Sequence, residues 1–152
     1  MSAASPQILI VDNDRLARLI AMMLEGEETD VAFDGTVALD KIHGATPDVI
    51  IADVDVPGSG IRLAELVGIS PEFQKIPVIL TSVSPTTDTI IKARNAGASS
   101  YLAKPFRPSE IRSRIETVTA TSSSDESATQ DPIPNPFDQQ EDDEFVTRVR
   151  AI

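Results

Sequence analysis

The sequence predicts an α/β fold in which a parallel β-sheet is covered by helices on both faces. Five short and largely apolar segments alternate with five longer segments whose apolar residues recur at the spacing of a helix. Continuous apolar runs are typical of strands that are buried on both faces of a parallel sheet. We therefore expect a doubly wound sheet of five parallel strands, joined by right-handed crossovers that each contain a helix.

The five strands are predicted where apolar and β-branched residues are concentrated. In chain order they cover residues 8–11, 29–33, 49–52, 77–82 and 99–103. The five helices follow these strands, because glycine and proline mark their ends. In chain order they are expected around residues 16–24, between Gly35 and Gly44, around residues 61–68, from Pro85 to Gly97, and from Pro108 onward.

The composition excludes several classes of function. The 152 residues contain no cysteine, which excludes disulfides and thiolate chemistry, and only one histidine, His43, which excludes any site that needs two. A net charge of −11, from 24 acidic and 13 basic residues, argues against direct binding of nucleic acid or an anionic membrane. A basic signal-peptide region and a spanning run of ~20 apolar residues are both lacking. We expect a soluble, cytoplasmic protein.

The charge is distributed unevenly along the chain. Residues 1–120 carry 16 acids and 11 bases, whereas residues 121–152 carry 8 acids and 2 bases together with several prolines and serines. Such a segment buries too little apolar surface to offset the entropy of ordering. We divide the chain into an N-terminal extension, a folded domain, a disordered acidic linker, and a short helix or truncated edge of an output region, at residues 1–6, 7–120, 121–144 and 145–152.

Polar side chains follow four of the predicted strands. Ligands of parallel α/β sheets bind beyond the carboxyl ends of the strands, so these side chains should converge in one crevice if the four strands are neighbours. They are Asp12, Asn13 and Asp14 after the first strand, Asp53 and Asp55 after the third, Ser82 at the end of the fourth, and Lys104 after the fifth.

This set of residue types points to phosphoryl chemistry. Clustered carboxylates repel one another unless a cation lies between them, and Mg²⁺ prefers oxygen ligands of this kind. A lysine offers a point charge to a phosphoryl oxygen, and a carboxylate can act as a nucleophile toward phosphorus. We predict a Mg²⁺-assisted phosphoryl site with an aspartate acceptor. The alternative is that these residues merely end strands and cap helices.

Residues 7–119 resemble the receiver domain of bacterial response regulators. The resemblance is carried by four segments in order, at residues 8–14 with Arg18, 47–57, 76–82 and 96–106. It implies a flavodoxin-like (βα)5 fold with strand order 2-1-3-4-5, which agrees with the alternation of strands and helices.

The resemblance also implies roles for individual residues. Asp53 corresponds to the phosphoacceptor, Lys104 to the lysine that contacts the phosphoryl group, and Ser82 and Tyr101 to the switch pair. Mg²⁺ would be held by Asp12, Asn13, Asp53 and the backbone carbonyl of Asp55, and Pro57 and Pro105 would be structural, with a cis peptide between Lys104 and Pro105.

The partners implied by the resemblance are proteins. A histidine kinase or phosphotransfer protein would donate the phosphoryl group, and a downstream protein target would recognise the changed face. That face, around the fourth helix, fifth strand and fifth helix, could also form a phosphorylation-dependent homodimer. The chain would be a signalling receiver that catalyses only its own phosphorylation and dephosphorylation, rather than an enzyme acting on other substrates. His43 has no role in this reading.

Three features of the sequence depart from the family pattern. Asn13 replaces an acid, the loop at residues 57–60 is one residue short, and Val83 replaces a small residue. These departures favour a first alternative, a degenerate receiver that binds proteins without phosphorylation.

A second alternative is a phosphatase. The segment Asp53-Val-Asp55-Val56 also resembles the first motif of haloacid dehalogenase-type phosphatases, although no acidic pair follows Lys104 before the last helix.

Overall fold

The computed structural model describes residues 6–123 of the chain, and side chains are described through residue 120. The extension predicted at residues 1–6 lies almost wholly outside the described residues. The same holds for the acidic linker beyond residue 123 and for the predicted helix at 145–152. The last helix continues to Ser123, three residues into the segment that we predicted as linker.

Five parallel strands form one sheet in the order β2-β1-β3-β4-β5, which confirms the predicted fold class. The strands are β1 (Gln7–Val11), β2 (Glu28–Ala32), β3 (Val49–Asp53), β4 (Val78–Ser82) and β5 (Ser100–Ala103). Strands β3 and β4 are buried at every position, as the continuous apolar runs indicated.

The helices alternate with the strands and are α1 (Asp14–Met23), α2 (Gly35–Gly44), α3 (Gly60–Ile69), α4 (Thr87–Asn95) and α5 (Pro108–Ser123). The prediction that Pro85 leads α4 is wrong by two residues. Thr86 caps this helix instead, and its Oγ1 accepts the N–H of Thr89 at 3.1 Å. Gly97 follows the end of α4 with a φ of +94°, as expected for the residue after a helix C-cap.

The apolar core consists of two layers separated by the sheet. One layer is formed by side chains from α2, α3 and α4 against one face of the strands, and it includes Tyr101. The other is formed by α1 and α5 against the opposite face, and it includes Ile111, Ile115 and Val118, which lie on one side of α5. Within residues 6–123, no helix is long and apolar enough to cross a membrane.

The strand register brings the predicted site residues to one edge of the sheet. Asp53 lies opposite Thr81 across β3 and β4, and Val11 lies opposite Ala52 across β1 and β3. Because Asp12 directly follows Val11, the two aspartates end neighbouring strands. Lys104 likewise follows β5, whose last residue lies opposite Ser82.

Candidate functional site

A buried ion triad lies at the carboxyl edge of the sheet. Lys104 Nζ donates to Asp12 Oδ2 at 2.7 Å and lies 3.0 Å from Asp53 Oδ1. The three side chains are only 8%, 2% and 10% exposed. The ammonium therefore bridges two carboxylates that lie in a poorly solvated environment, where the repulsion between them would otherwise be large.

Backbone N–H groups also orient both carboxylates. Asp53 Oδ2 accepts the N–H of Asp55 at 2.9 Å, and Asp12 Oδ1 accepts the N–H of Asn13 at 2.8 Å. Each carboxylate thus presents one oxygen to the backbone and the other to Lys104. Burial nevertheless raises the pKa of Asp12 above its usual range, and the hydrogen bonds from Lys104 and Asn13 offset only part of that rise.

Ser82 and Tyr101 lie next to the triad on neighbouring strands. Ser82 is buried at the end of β4, and its Oγ accepts the N–H of Ser84 at 3.0 Å. Tyr101 is buried among the core residues on the α4 side of β5. Burial raises the pKa of Tyr101, and the nearby side chain of Ser82 lowers it in part. The phenol and the hydroxyl are therefore close enough to influence each other.

Asn13 caps a helix, which is the alternative that the sequence left open for the polar residues after the strands. Its Oδ1 accepts the N–H of Leu16 at 2.9 Å and so caps α1, and the residue is exposed. This hydrogen bond uses one of the two lone pairs of the amide oxygen and leaves the other for a metal. The role that the resemblance implied for Asn13 in metal binding is therefore compatible with its role as a helix cap.

The donor atoms at this edge suit a hard cation. The carboxylates of Asp12 and Asp53 and the backbone carbonyl of Asp55 are oxygen ligands of the type that Mg²⁺ binds while it keeps several waters. Among the described residues, no three acidic or histidine side chains converge as a ready-made metal cluster. A metal here would therefore depend on backbone and water oxygens in addition to the two carboxylates.

We expect Asn13→Asp to bind Mg²⁺ roughly tenfold more tightly than the wild type, because a second charge beside Asp12 attracts the cation. Aspartate is as good an N-cap as asparagine, so α1 should be unaffected. Isothermal titration calorimetry with MgCl₂ measures the difference, and Asp40→Asn, which changes an exposed acid on α2, serves as a control. Equal affinities in wild type and Asn13→Asp would contradict the prediction.

The short loop between β3 and α3 closes tightly on the end of β3. Gly58 has a φ of +88° and Ser59 a φ of +63°, so two successive residues adopt left-handed conformations. A Cβ at Gly60 would lie 2.3 Å from the backbone oxygen of Asp53. The carbonyl of Pro57 accepts the N–H of Gly35 at 3.0 Å and so ties this loop to the start of α2.

The sequence indicates that this loop is short but does not reveal what its residues do. The Pro-Gly-Ser-Gly order was the available signal, since two glycines around a serine suit a tight turn into a helix. Ser59 caps α3, and its Oγ accepts the N–H groups of Ile61 and Arg62 at 3.1 and 3.3 Å. The loop thus fixes the position of α3 relative to Asp53.

An apolar groove of about 230 Å³ lies beside the ion triad. Val83, which is 60% exposed, forms one wall, and the cis peptide between Lys104 and Pro105 lies at another. The remaining lining comes mainly from Leu16, Leu19, Met23 and Phe106. Val83 therefore lines a groove that also borders Lys104 of the triad.

A parallel sheet of order 2-1-3-4-5, with two aspartates, a serine and a lysine at its carboxyl edge, defines the class of CheY-like signalling domains. The family model described as the response regulator receiver domain matches residues 8–116. The chain therefore belongs to the response regulator receiver family of two-component systems. Proteins of this family are signalling proteins rather than ordinary enzymes, they interact with histidine kinases, and they generally depend on Mg²⁺.

Curated and solved relatives agree with this assignment. The chemotaxis protein CheY of Pseudomonas aeruginosa is 32% identical over 117 residues, which cover 74% of this chain and 94% of that protein. The receiver domain of Francisella response regulator 1452 superposes with a TM-score of 0.68 at 32% identity, over 76% of this chain and 97% of that one. Vibrio cholerae CheY4 superposes with a TM-score of 0.70 at 26% identity, over 76% and 99%.

Longer relatives match only in part. The DNA-binding response regulator MtrA of Mycobacterium tuberculosis is 30% identical over 119 residues, which cover 76% of this chain. The match spans 51% of that protein, so this chain corresponds to about half the length of such relatives. The similarity lies in the receiver portion, where the family model also matches.

Proposed function

We propose that Asp53 accepts a phosphoryl group from a histidine kinase or phosphotransfer protein, with Mg²⁺ and Lys104 as the positive charges of the site. The observation that carries this proposal is the buried bridge of Lys104 between Asp12 and Asp53. It places an ammonium beside the candidate nucleophile, where charge on the transferred phosphoryl oxygens would develop.

Each residue of the site has a distinct task in this proposal. An oxygen of Asp53 bonds to phosphorus while the bond between phosphorus and the donor's histidine nitrogen breaks, and the three equatorial oxygens keep their negative charge. Lys104 turns from the carboxylates toward one of these oxygens. Asp12, Asn13, Asp53 and the carbonyl of Asp55 would hold Mg²⁺, which supplies further positive charge when bound.

We propose that Ser82 and Tyr101 transmit the phosphorylation of Asp53 to the surface around α4, β5 and α5. The Ser82 hydroxyl would leave the Ser84 N–H and bond to a phosphoryl oxygen instead. Tyr101 is buried in this structure. In this proposal the buried position belongs to one of two states, and phosphorylation shifts the population toward it.

The partners in this proposal remain those that the sequence predicted. A downstream protein would bind the surface around α4, β5 and α5, and a phosphorylation-dependent homodimer could use the same surface. Direct nucleic-acid or membrane binding is not part of the proposal, because the net charge is −11. We also propose that the protein is cytoplasmic, as the sequence predicted.

Incubation with acetyl phosphate and Mg²⁺, followed by intact mass measurement, tests the proposal. The wild type should gain the mass of one phosphoryl group, and the adduct should be lost on mild alkaline treatment, as an acyl phosphate is. A protein that stays unmodified over hours, with and without a cognate kinase, would favour the degenerate receiver instead. Membership of the receiver family leaves the haloacid dehalogenase-type phosphatase without support.

We expect Val83→Ala to accelerate both phosphorylation by acetyl phosphate and loss of the phosphoryl group. Val83 lines the groove that borders Lys104 and is 60% exposed, so we expect that removing its two methyl groups opens access for the donor and for water at little cost in stability. Time courses of phosphoprotein formation and decay measure both rates. Val37→Ala, which shortens an exposed valine on α2, is the control, and unchanged rates in Val83→Ala would count against this role.

A further inference from the structure

We propose that the backbone N–H of Gly35 positions the loop between β3 and α3 for the binding of Mg²⁺. This N–H donates to the carbonyl of Pro57 at 3.0 Å and so joins the start of α2 to the loop. Gly35 is therefore a positioning residue, since it acts through the loop and not on the metal itself. The inference rests on the proposed function, because it takes the backbone carbonyl of Asp55 as a ligand of the metal.

The hydrogen bonds within the loop hold the Asp55 carbonyl only loosely. In a planar trans peptide the carbonyl and the following N–H point in opposite directions, so the N–H of Val56 sets the direction of the Asp55 carbonyl. That N–H donates to the backbone oxygen of Asp53 at 3.5 Å, which is long for a hydrogen bond. A contact of this length restrains the peptide weakly, so the direction of the carbonyl depends on how the rest of the loop is anchored.

Two backbone hydrogen bonds anchor the chain just after this peptide. The N–H of Ser59 donates to the carbonyl of Val56 at 2.6 Å, and the N–H of Gly35 donates to the carbonyl of Pro57 at 3.0 Å. The first bond moves with the loop, since both of its partners belong to it. The second ties the loop to α2, which is itself fixed in the core by buried side chains such as Ile42. The bond from Gly35 therefore fixes the loop relative to the sheet.

The N–H of Gly35 is available for this task because α2 does not need it. Gly35 is the first residue of α2, and the N–H of a residue at this position has no partner within its own helix. The side chain of Asp34 caps α2 through the N–H of Val37, at 2.8 Å. The partial positive charge at the start of the helix strengthens the bond to the Pro57 carbonyl. Loss of the Gly35 N–H should therefore affect the loop more than the helix.

The positioning of the loop and the binding of Mg²⁺ are linked in both directions. If the Gly35 bond favours the loop conformation that binds Mg²⁺, then Mg²⁺ in turn strengthens the Gly35 bond. Hydrogen exchange of the Gly35 amide should therefore slow when Mg²⁺ is added to the wild type. The amide of Val37 is an internal control, because its partner is the Asp34 side chain next to the same helix, and its exchange should change much less.

The test compares Mg²⁺ binding by two variants of the full chain, measured by titration of the amide NMR spectrum. Gly35→Pro removes the N–H but suits the first position of a helix, and Asp34 before it has the extended backbone that proline favours, with a φ of −160° and a ψ of 170°. Gly35→Ala keeps the N–H, and its Cβ would meet Gly58 at an ordinary contact distance of 3.6 Å. We expect the proline variant to bind Mg²⁺ roughly fivefold more weakly than the alanine variant, which is the loss expected for one hydrogen bond.

The outcomes distinguish this inference from the proposed function. Because the titration follows signals of the folded state, a general loss of stability does not imitate a loss of affinity. Equal affinities of the two variants would overturn the positioning role alone, as would wild-type exchange at Gly35 that saturating Mg²⁺ leaves unchanged. The exchange experiment needs no variant, so it tests the inference even if Gly35→Pro does not fold. A wild type that binds no Mg²⁺ would overturn the metal site together with this inference.

Discussion

Replacing Lys104 with methionine should lower the free energy of unfolding by about 3 kcal/mol at pH 7 in the absence of metal. The methionine retains the apolar stem but removes the ammonium that bridges Asp12 and Asp53, both of which are buried. Two uncompensated carboxylates then remain about as close to each other as the lysine had held them, in an environment with little water. Urea unfolding monitored by circular dichroism measures the loss.

The loss of stability caused by Lys104→Met should increase as the pH rises. An acid whose pKa is higher in the folded than in the unfolded protein destabilises the folded state increasingly as the pH rises between those two values. Asp12 is already such an acid because of its burial, and removal of Lys104 raises its pKa further. The difference between Lys104→Met and wild type should therefore be small at about pH 3, where an aspartate is largely protonated, and grow toward pH 7.

A matched control is available on the surface. Lys41 pairs with Asp30 at 3.0 Å, but these side chains are 37% and 61% exposed. Lys41→Met should therefore cost less than about 1 kcal/mol. Added Mg²⁺ should restore more stability to Lys104→Met than to wild type, since it can replace the missing positive charge. Equal losses in the two methionine variants would show that the triad is not a buried, coupled site.

Replacing Gly60 with alanine should destabilise the protein by about 3 kcal/mol, because overpacking of this kind typically costs 1–3 kcal/mol and here the clash is with backbone. The new Cβ would lie 2.3 Å from the backbone oxygen of Asp53, and Leu80 Cδ2 would lie within 3.3 Å. Relief requires α3 or the end of β3 to shift. A shift of β3 would displace the Asp53 carboxylate, so phosphorylation should fall together with stability.

The matched control for this prediction is Gly44→Ala at the end of α2. Nothing lies within 4 Å of a Cβ at that position, and its backbone is helical. Alanine there should leave stability unchanged or raise it by up to about 1 kcal/mol, because glycine is a poor helix former. Thermal unfolding of the two variants distinguishes the cost of the steric clash at Gly60 from the gain in helix propensity at Gly44. Equal stability of the two variants would contradict the role assigned to Gly60.

The fold was predictable because its signals are local and repeated. Continuous apolar runs indicated buried parallel strands, and the polar residues at their ends indicated where a site would form. Those signals placed Asp12, Asp53, Ser82 and Lys104 at one edge of the sheet, and the strand register brings them there. Strand order was implied only by the resemblance to receivers, since alternation alone is compatible with more than one order.

Other features depend on contacts that no local pattern reveals. The approach of Gly60 to the Asp53 carbonyl follows from tertiary geometry. The cap that Asn13 provides is instead a local contact, and it matches the alternative role that the sequence left open. Pro85 suggests too early a start for α4, because the hydroxyl of Thr86 makes the capping hydrogen bond. His43 contributes ordinary packing, with its ring edge-on to Phe73 at 5.0 Å, as its lack of a motif had indicated.

The most direct test of the central proposal is to locate the phosphoryl group. Wild type, Asp53→Asn and Asp40→Asn should be incubated with acetyl phosphate and Mg²⁺ under identical conditions and then measured by intact mass spectrometry. Wild type and the exposed control Asp40→Asn should each gain one phosphoryl group, and Asp53→Asn should gain none. Phosphorylation of Asp53→Asn to the wild-type extent, or no phosphorylation of any of the three, would contradict the assignment of Asp53 as the acceptor.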